Sequence, residues 1–324
     1  MNGRRHFLAA LALAAMAGLA PAGAQDYPNK PIRIIVPFLP GAANDTLARI
    51  TADALSPRLG QPVVVENKPG AGSAIGVDYV AKSPPDGYTL LWAASDGITV
   101  LPAVKPDLAY KVPDEFTLLC QMFDTSFMVV INSGVPAKNM SEFVTYLKAN
   151  PGKVRFGTSG AGSLAHLALA LMESRLGVKM VHVPYKGMSG VVTDILGGHI
   201  EAAVITPPTV SPHRTSDKIR ILATTGSKRT PIFPDMPTIK ETGLPSVVVE
   251  VWFGLVAPAG LPADVSKRIQ TEVAAVLKDP EWVKKYKAAN FEPNFAASEP
   301  FKKIVADELK QWKDIAASEK IVFQ

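Results

Sequence analysis

Short runs of β-branched and other apolar residues alternate with helix-periodic stretches along nearly the whole chain, and this alternation limits the fold more than any other feature. Residues 31–38 read as a buried strand. They are followed by a glycine loop and by a helix over residues 45–59, in which Leu47, Ile50, Ala54 and Leu55 share one face. Strand patterns over 62–66 and 88–93 flank a short helix over 73–82, with breakers at Asn67-Lys68-Pro69-Gly70 and Pro84-Pro85-Asp86-Gly87. The pattern restarts with an apolar run at 127–131, a helix over 141–149 with Ser141 placed to cap it, and a strand over 154–156. A second small-residue loop then opens a helix over 163–176, and strands over 180–183, 202–205 and 219–223 bracket a helix over 190–196. Residues 247–258 read as β-like and turning helical, and helices over 263–277 and 300–317 close the chain. Strands alternating with helices imply parallel sheets covered by helices, arranged as two α/β units with crossovers near 125–130 and 248–254.

The N-terminus reads as a cleaved export leader over residues 1–24. Arg4 and Arg5 precede an apolar run over 7–19, which is too short to span a membrane, and Ala22-Gly23-Ala24 has the small-x-small form of a cleavage site. Either the general or the twin-arginine export route is compatible with the paired arginines. Without the leader the formal net charge falls from +5 to +3, with lysines dispersed among acids, so the composition argues against a nucleic-acid surface. The single cysteine, Cys120, allows no intrachain disulfide. The five histidines and Cys120 show no metal-ligand spacing, so no metal or cofactor is expected.

Two loops of the same kind carry the functional reading. Residues 38–45 (Phe38, Leu39, Pro40, Gly41, Ala42, Ala43, Asn44, Asp45) and residues 157–163 (Gly157, Thr158, Ser159, Gly160, Ala161, Gly162, Ser163) each join a predicted strand to a helix N-terminus. First-turn N–H groups lack intrahelical partners and sit at the positive end of the helix dipole, so such a turn attracts a carboxylate without any arginine. Both loops also fit plain strand–helix connections. If they are sites, backbone N–H groups at Ala42, Ala43, Gly160 and Ala161 should point to one carboxylate. Thr158, Ser159 and Ser163 should add hydroxyl donors, with Asp96, Tyr185 and Thr206 at the distal end. Asp45 fits a ligand contact and a helix N-cap equally, and His166 fits a place beside the second loop or a structural role.

Rival chemistry is thinly supported. Gly157-Thr158-Ser159-Gly160-Ala161 lacks the final glycine of a nucleophile elbow, and no later histidine sits in a recognisable motif, which weakens a serine hydrolase using Ser159. Gly70-Ala71-Gly72-Ser73-Ala74-Ile75-Gly76 has its third glycine one residue late for a dinucleotide fingerprint. Trp252 and Phe253 read as hinge-region core rather than an aromatic cage.

Taken in order, the motifs resemble those of the Bug-type periplasmic binding proteins of the tripartite tricarboxylate transporter family. The resemblance runs through Pro37-Phe38-x-Pro40-Gly41-x-x-x-Asp45, the block from Val65-Glu66-Asn67-Lys68-Pro69-Gly70 to Gly72, and Pro85-Asp86-Gly87-Tyr88-Thr89-Leu90. It continues through Val183-Pro184-Tyr185-Lys186-Gly187, Pro234-Asp235-Met236-Pro237-Thr238 and Trp252-Phe253-Gly254-Leu255. It implies an α/β, two-lobed type II periplasmic-binding-protein fold, each lobe a mostly parallel sheet flanked by helices, with residues 25–127 and 252–324 in lobe 1 and 128–251 in lobe 2. It also implies a monomeric, non-catalytic protein that closes on a small organic carboxylate held by the two loops and passes it to membrane subunits. A sensor presenting the bound ligand to a signalling partner is the alternative. Two departures stand out. Ala42 occupies a position where the family usually has a second glycine. Ile205 occupies one where many members carry aspartate, and its loss points to a less polar or non-amino ligand.

Overall fold

The computed structural model describes residues 27–318 apart from Pro106 and Ser246, so the leader lies outside the described residues. Ile32, Ile34, Ile35 and Val36 expose no surface, and this run forms β1 (Ile32–Val36) inside a sheet, between β2 (Val63–Asn67) and β3 (Thr89–Ala94), with both pairings parallel. Helix α1 (Ala43–Leu59) buries Leu47, Ala48, Ala54 and Leu55 and stops at Gly60, which takes the left-handed conformation (φ 69°) and returns its N–H to the Ser56 carbonyl. Helix α2 (Ala74–Ala81) makes the β2–β3 crossover and packs against β3, β10 and β1.

The remainder of this sheet is antiparallel. An 11-residue strand, β4 (Phe116–Ser126), leads the chain out of it into β5 (Met128–Asn132) of a second sheet, and β10 (Glu250–Pro258) brings the chain back between β3 and β4. Edge strand β11 (Pro293–Ala297) completes the order β11-β4-β10-β3-β1-β2. The second sheet contains β6 (Arg155–Thr158), β7 (Val181–Pro184), β8 (Ala202–Ile205) and β9 (Ile219–Thr224), in the order β7-β6-β8-β5-β9. Its helices are α3 (Met140–Ala149), α4 (Leu164–Leu176) and α5 (Met188–Gly197). Both sheets are therefore mixed rather than mostly parallel. The strands that enter and leave at the crossings, β4, β5 and β10, run against their neighbours, while the α/β crossovers keep β1–β3 and β6–β8 parallel.

Two connections stitch the sheets together. Ser126 Oγ and Thr224 Oγ1 lie 2.7 Å apart, the Phe127 N–H donates to Thr225 Oγ1 at 3.0 Å, and Thr225 Oγ1 donates to the Val249 carbonyl at 2.7 Å, all of them buried. The C-terminal helices α6 (Ala263–Val276), α7 (Pro280–Ala288) and α8 (Ser298–Ser318) return to the first lobe. Tyr286 of α7 meets Thr51 of α1 through a buried 2.9 Å hydrogen bond, and Phe301, Val305 and Trp312 bury one stripe of α8. Helix α3 is capped by Asn139, not Ser141: the Asn139 side chain accepts the Glu142 N–H at 2.9 Å, and Glu142 reaches back to the Lys138 N–H at 2.7 Å. Among the described residues, no helix is long and apolar enough to cross a membrane.

Candidate functional site

The carboxyl ends of β1, β3, β6, β7 and β8 converge between the lobes, where open α/β sheets place their ligands. A tight crevice of about 50 Å³ lies there, lined on one side by Phe38, Ala42, Ala43, Asn44 and Asp96, on the other by Ser159, Gly187, Met188, Thr206 and Thr209, and at the crossings by Phe127, Val251 and Phe253. A larger outer groove of about 510 Å³ continues from it past Leu39, the 69–73 loop, Ser159, Gly160, Ala161, Ser163 and Pro184–Lys186, with Phe38 and Ser159 shared by both. A separate groove of about 350 Å³ behind the crossings, bordered by Asp124, Lys228 and Glu292, holds neither loop.

The lobes are in contact. A Cβ built on Gly72 would lie 2.7 Å from the Ala161 carbonyl, and one on Gly162 would lie 2.7 Å from Leu101 Cδ2, so both approaches depend on glycine. Across the same seam the Leu164 N–H donates to Asp96 Oδ1 at 2.8 Å.

In the first lobe, Gly41 turns the chain with φ 85°, and Ala42 stands at the N-cap of α1 with an extended backbone (φ −81°, ψ 167°). Alanine fits that conformation without strain, so a second glycine is not required there. No side chain caps α1, and Ala43 and Asn44 present its first turn to the crevice. Asp45 does not line the crevice and is not the N-cap. Its Oδ1 accepts from Arg49 Nη2 and Asn67 Nδ2, each at 2.9 Å, and its Oδ2 accepts from Arg49 Nε at 2.9 Å and the Gly41 N–H at 3.1 Å. Burial alone would raise this carboxyl; the bonds from Arg49, Gly41 and Asn67 outweigh it and hold the group below the usual carboxylate range. Asn67 also donates to the Phe38 carbonyl at 3.0 Å, so Asp45 and Asn67 brace the turn from behind.

The second loop is built differently. Ser163 Oγ caps α4 by accepting the His166 N–H at 3.2 Å, and the Leu164 N–H is taken by Asp96. Thr158 Oγ1 faces inward, 2.7 Å from His182 Nε2. Of the three hydroxyls expected to meet a ligand, only that of Ser159 is left uncommitted and lines the crevice. His166 lies behind the loop: its Nδ1 accepts the Gly162 N–H at 3.1 Å, and its ring stacks on His182 with centroids 3.7 Å apart. Burial, and then the neighbouring His182, push His166 down to about 4; burial likewise lowers His182. The Gly162 bond needs an unprotonated Nδ1.

The structure brings Phe38, Ala42, Ala43, Asn44, Asp96, Ser159 and Thr206 together in the inner crevice. Leu39, Gly160, Ala161, Ser163 and Tyr185 border only the outer groove, where the Tyr185 hydroxyl donates to Asp194 at 2.5 Å. Asp45, Thr158 and His166 line neither and act behind the surface, and Gly41, exposed at the turn, lines neither as well. Ile205 is fully buried in β8 opposite Met128, so it does not face the crevice; Thr206, one residue on, does. Phe127, Met188, Thr209, Val251 and Phe253 line the crevice without having been expected there. Phe253 and Trp252 separate in role because neighbours on a strand face opposite ways: Phe253 reaches the crevice, while Trp252 Nε1 donates to Glu308 at 2.8 Å in the first lobe. No hydrogen bond joins Ser159 to a histidine or carboxylate among the described residues, so a nucleophile–base pair is not assembled.

The profile of the tripartite tricarboxylate transporter family receptor (TctC) matches residues 47–321. The chain belongs to the TctC family. TctC relatives extend over nearly the full chain. The protein BugT of Bordetella pertussis is 36% identical over 303 residues, covering 93% of each sequence. The periplasmic binding protein BugD superposes with a TM-score of 0.85 at 31% identity, covering 92% of this chain and all of that one. An R. palustris protein solved with adipate superposes with a TM-score of 0.87 at 29% identity, covering 92% and 99%. This TctC protein is thus a two-lobed periplasmic solute-binding protein, with its crevice at the seam just described.

Proposed function

We propose that this protein captures a small organic carboxylate in the inner crevice, closes its lobes on it and delivers it to the membrane subunits of a tripartite tricarboxylate-type transporter, with no catalysis of its own. In this reading residues 1–24 are a cleaved export signal, residues 25–127 with 252–324 form lobe 1, residues 128–251 form lobe 2, and the protein works as a monomer. One observation carries the proposal: the uncapped N-terminus of α1 and the free Ser159 hydroxyl face each other across one crevice. The N–H groups of the first turn and the helix dipole would hold the anion. Each charge-assisted bond contributes about 1.5–3 kcal/mol, so three or four could reach the ~8 kcal/mol of micromolar affinity after the cost of association. The adipate-bound relative supports the ligand class.

Native mass spectrometry of gently purified protein, paired with thermal shift against a carboxylate panel, tests the reading. Retained small acids and ligand-dependent stabilisation are expected. Turnover of ester substrates that disappears in Ser159→Ala, with no carboxylate stabilising the protein, would replace it with a hydrolase.

A further inference from the structure

Resting on the carboxylate reading above, we infer that the preferred ligand is a monocarboxylate whose far end carries a hydrogen-bond donor, and that Asp96 excludes a second carboxylate. Asp96 is the only ionisable side chain lining the inner crevice; no lysine, arginine or histidine lines it among the described residues. Asp96 is 7% exposed, its carboxyl is met by the backbone N–H groups of Leu164 and of Asp96 itself, and burial raises it above the usual carboxylate range, so a second carboxylate beside it binds only with a proton taken up between them. Glu308, close enough to feel Asp96, is also an acid and is itself raised to about 7, chiefly by burial. A buried carboxylate without a cation is costly, and a second one beside it costs more.

A second acceptor is also unspent. Asn44 lines the crevice, and its Oδ1 is buried with no hydrogen-bond partner. Such a group is a standing penalty that a ligand donor would relieve. On the donor side, Thr206 and Thr209 bond each other at 2.9 Å, which leaves one neutral hydroxyl proton, too little to neutralise a second carboxylate. The crevice therefore offers backbone donors at the starts of α1 and α5, where neither Ala42 nor Gly187 supplies a capping side chain, and acceptors at Asp96 and Asn44 for a hydroxyl, amide or ammonium. The expectation of a less polar, non-amino ligand drawn from Ile205 loses its basis, because Ile205 is in the core and Asp96 supplies an acid to the crevice from another strand end.

Matched series settle the point: butanoate, succinate and 4-hydroxybutanoate, and hexanoate, adipate and 6-hydroxyhexanoate, titrated calorimetrically. Within at least one series the hydroxy acid is expected to bind about tenfold or more tighter than the dicarboxylate. Asp96→Asn keeps the shape and a carbonyl for the Leu164 N–H, and should raise dicarboxylate affinity until the gap closes. Asn44→Ala, at the half-buried start of α1, should weaken the hydroxy acids more than the plain acids, and it serves as the second variant if Asp96→Asn does not fold. A dicarboxylate as the tightest ligand of the wild type, or a ranking unchanged in Asp96→Asn, overturns the inference while leaving the carboxylate reading intact. Binding by no acid of either series, or of the wider panel, overturns the carboxylate reading and this inference with it.

Discussion

The β1–α1 and β6–α4 turns are alike in sequence and opposite in how they use their helix ends. Both join a parallel strand to a helix through glycine and small residues. The α1 end has no capping side chain, and its bracing comes from Asp45, Arg49 and Asn67 beneath it. The α4 end is filled by the protein itself, with Ser163 on the His166 N–H and Asp96 on the Leu164 N–H. A helix N-terminus is an anion site only while its N–H groups are unspent. By that criterion α1 is the proposed seat of the ligand carboxylate in the first lobe, and the second lobe contributes Ser159 and the uncapped start of α5 at Gly187 rather than the α4 end.

The comparison breaks most sharply at α1. Ala43→Asp would place a carboxylate where the ligand's belongs; carboxylate affinity should fall about 100-fold or more, while the ligand-free protein melts near the wild-type temperature because an acid suits a helix N-terminus. Calorimetric titration checks the first outcome and thermal denaturation the second. Ser159→Ala, the matching change in the second lobe, should cost only about tenfold.

Bracing is tested next. Asp45→Ala leaves the Gly41 N–H and Asn67 without their partner, and about 1–3 kcal/mol of stability should be lost in urea denaturation. Closure follows. Gly162→Ala puts a Cβ against Leu101 at a position with φ 76°, so about 1 kcal/mol of stability and part of the affinity should go; an unchanged affinity would mean that the lobes need not meet there.

The smallest effect separates the loops by pH. His166 and His182 have folded values below the free-histidine value, so the unfolded chain binds more protons in between. Their contribution to stability is complete above about 6.5 and is lost as pH falls toward about 4, the value for His166. The depressed Asp45 carboxyl stabilises above its unfolded value near 3.9, and that stabilisation is lost only as pH falls through its lower folded value. At pH ~5, hydrogen exchange should quicken in residues 157–163 and stay slow in 38–45. Equal loosening of both would erase the distinction.

Strand–helix alternation and both loops were legible because they rest on local pattern. Strand β4 was not: Leu118, Leu119, Cys120, Gln121, Met122 and Phe123 are all buried, so the run shows no alternation. Edge strand β11 is short and half-exposed, leaving no apolar signal. Helix α7 carries readable signs in the Asp279 cap and Pro280 at its first turn, but it buries Tyr286 alone. Within the site, Thr158 and Ser163 look equivalent to Ser159 in sequence. Their hydroxyls are spent on His182, 24 residues away, and on the helix they begin, and only the first of these needs tertiary knowledge. Asp96 reaches the α4 terminus from another lobe, a contact 68 residues long that no local pattern encodes.

A crystal structure with a bound monocarboxylate tests the central claim most directly. The account predicts the carboxylate on the N–H groups of Ala43 and Asn44 with Ser159 Oγ closing on it, and the Asp96–Leu164 bond retained. An anion seated on the α4 N-terminus with Asp96 displaced, or lodged in the groove behind the crossings, would contradict it.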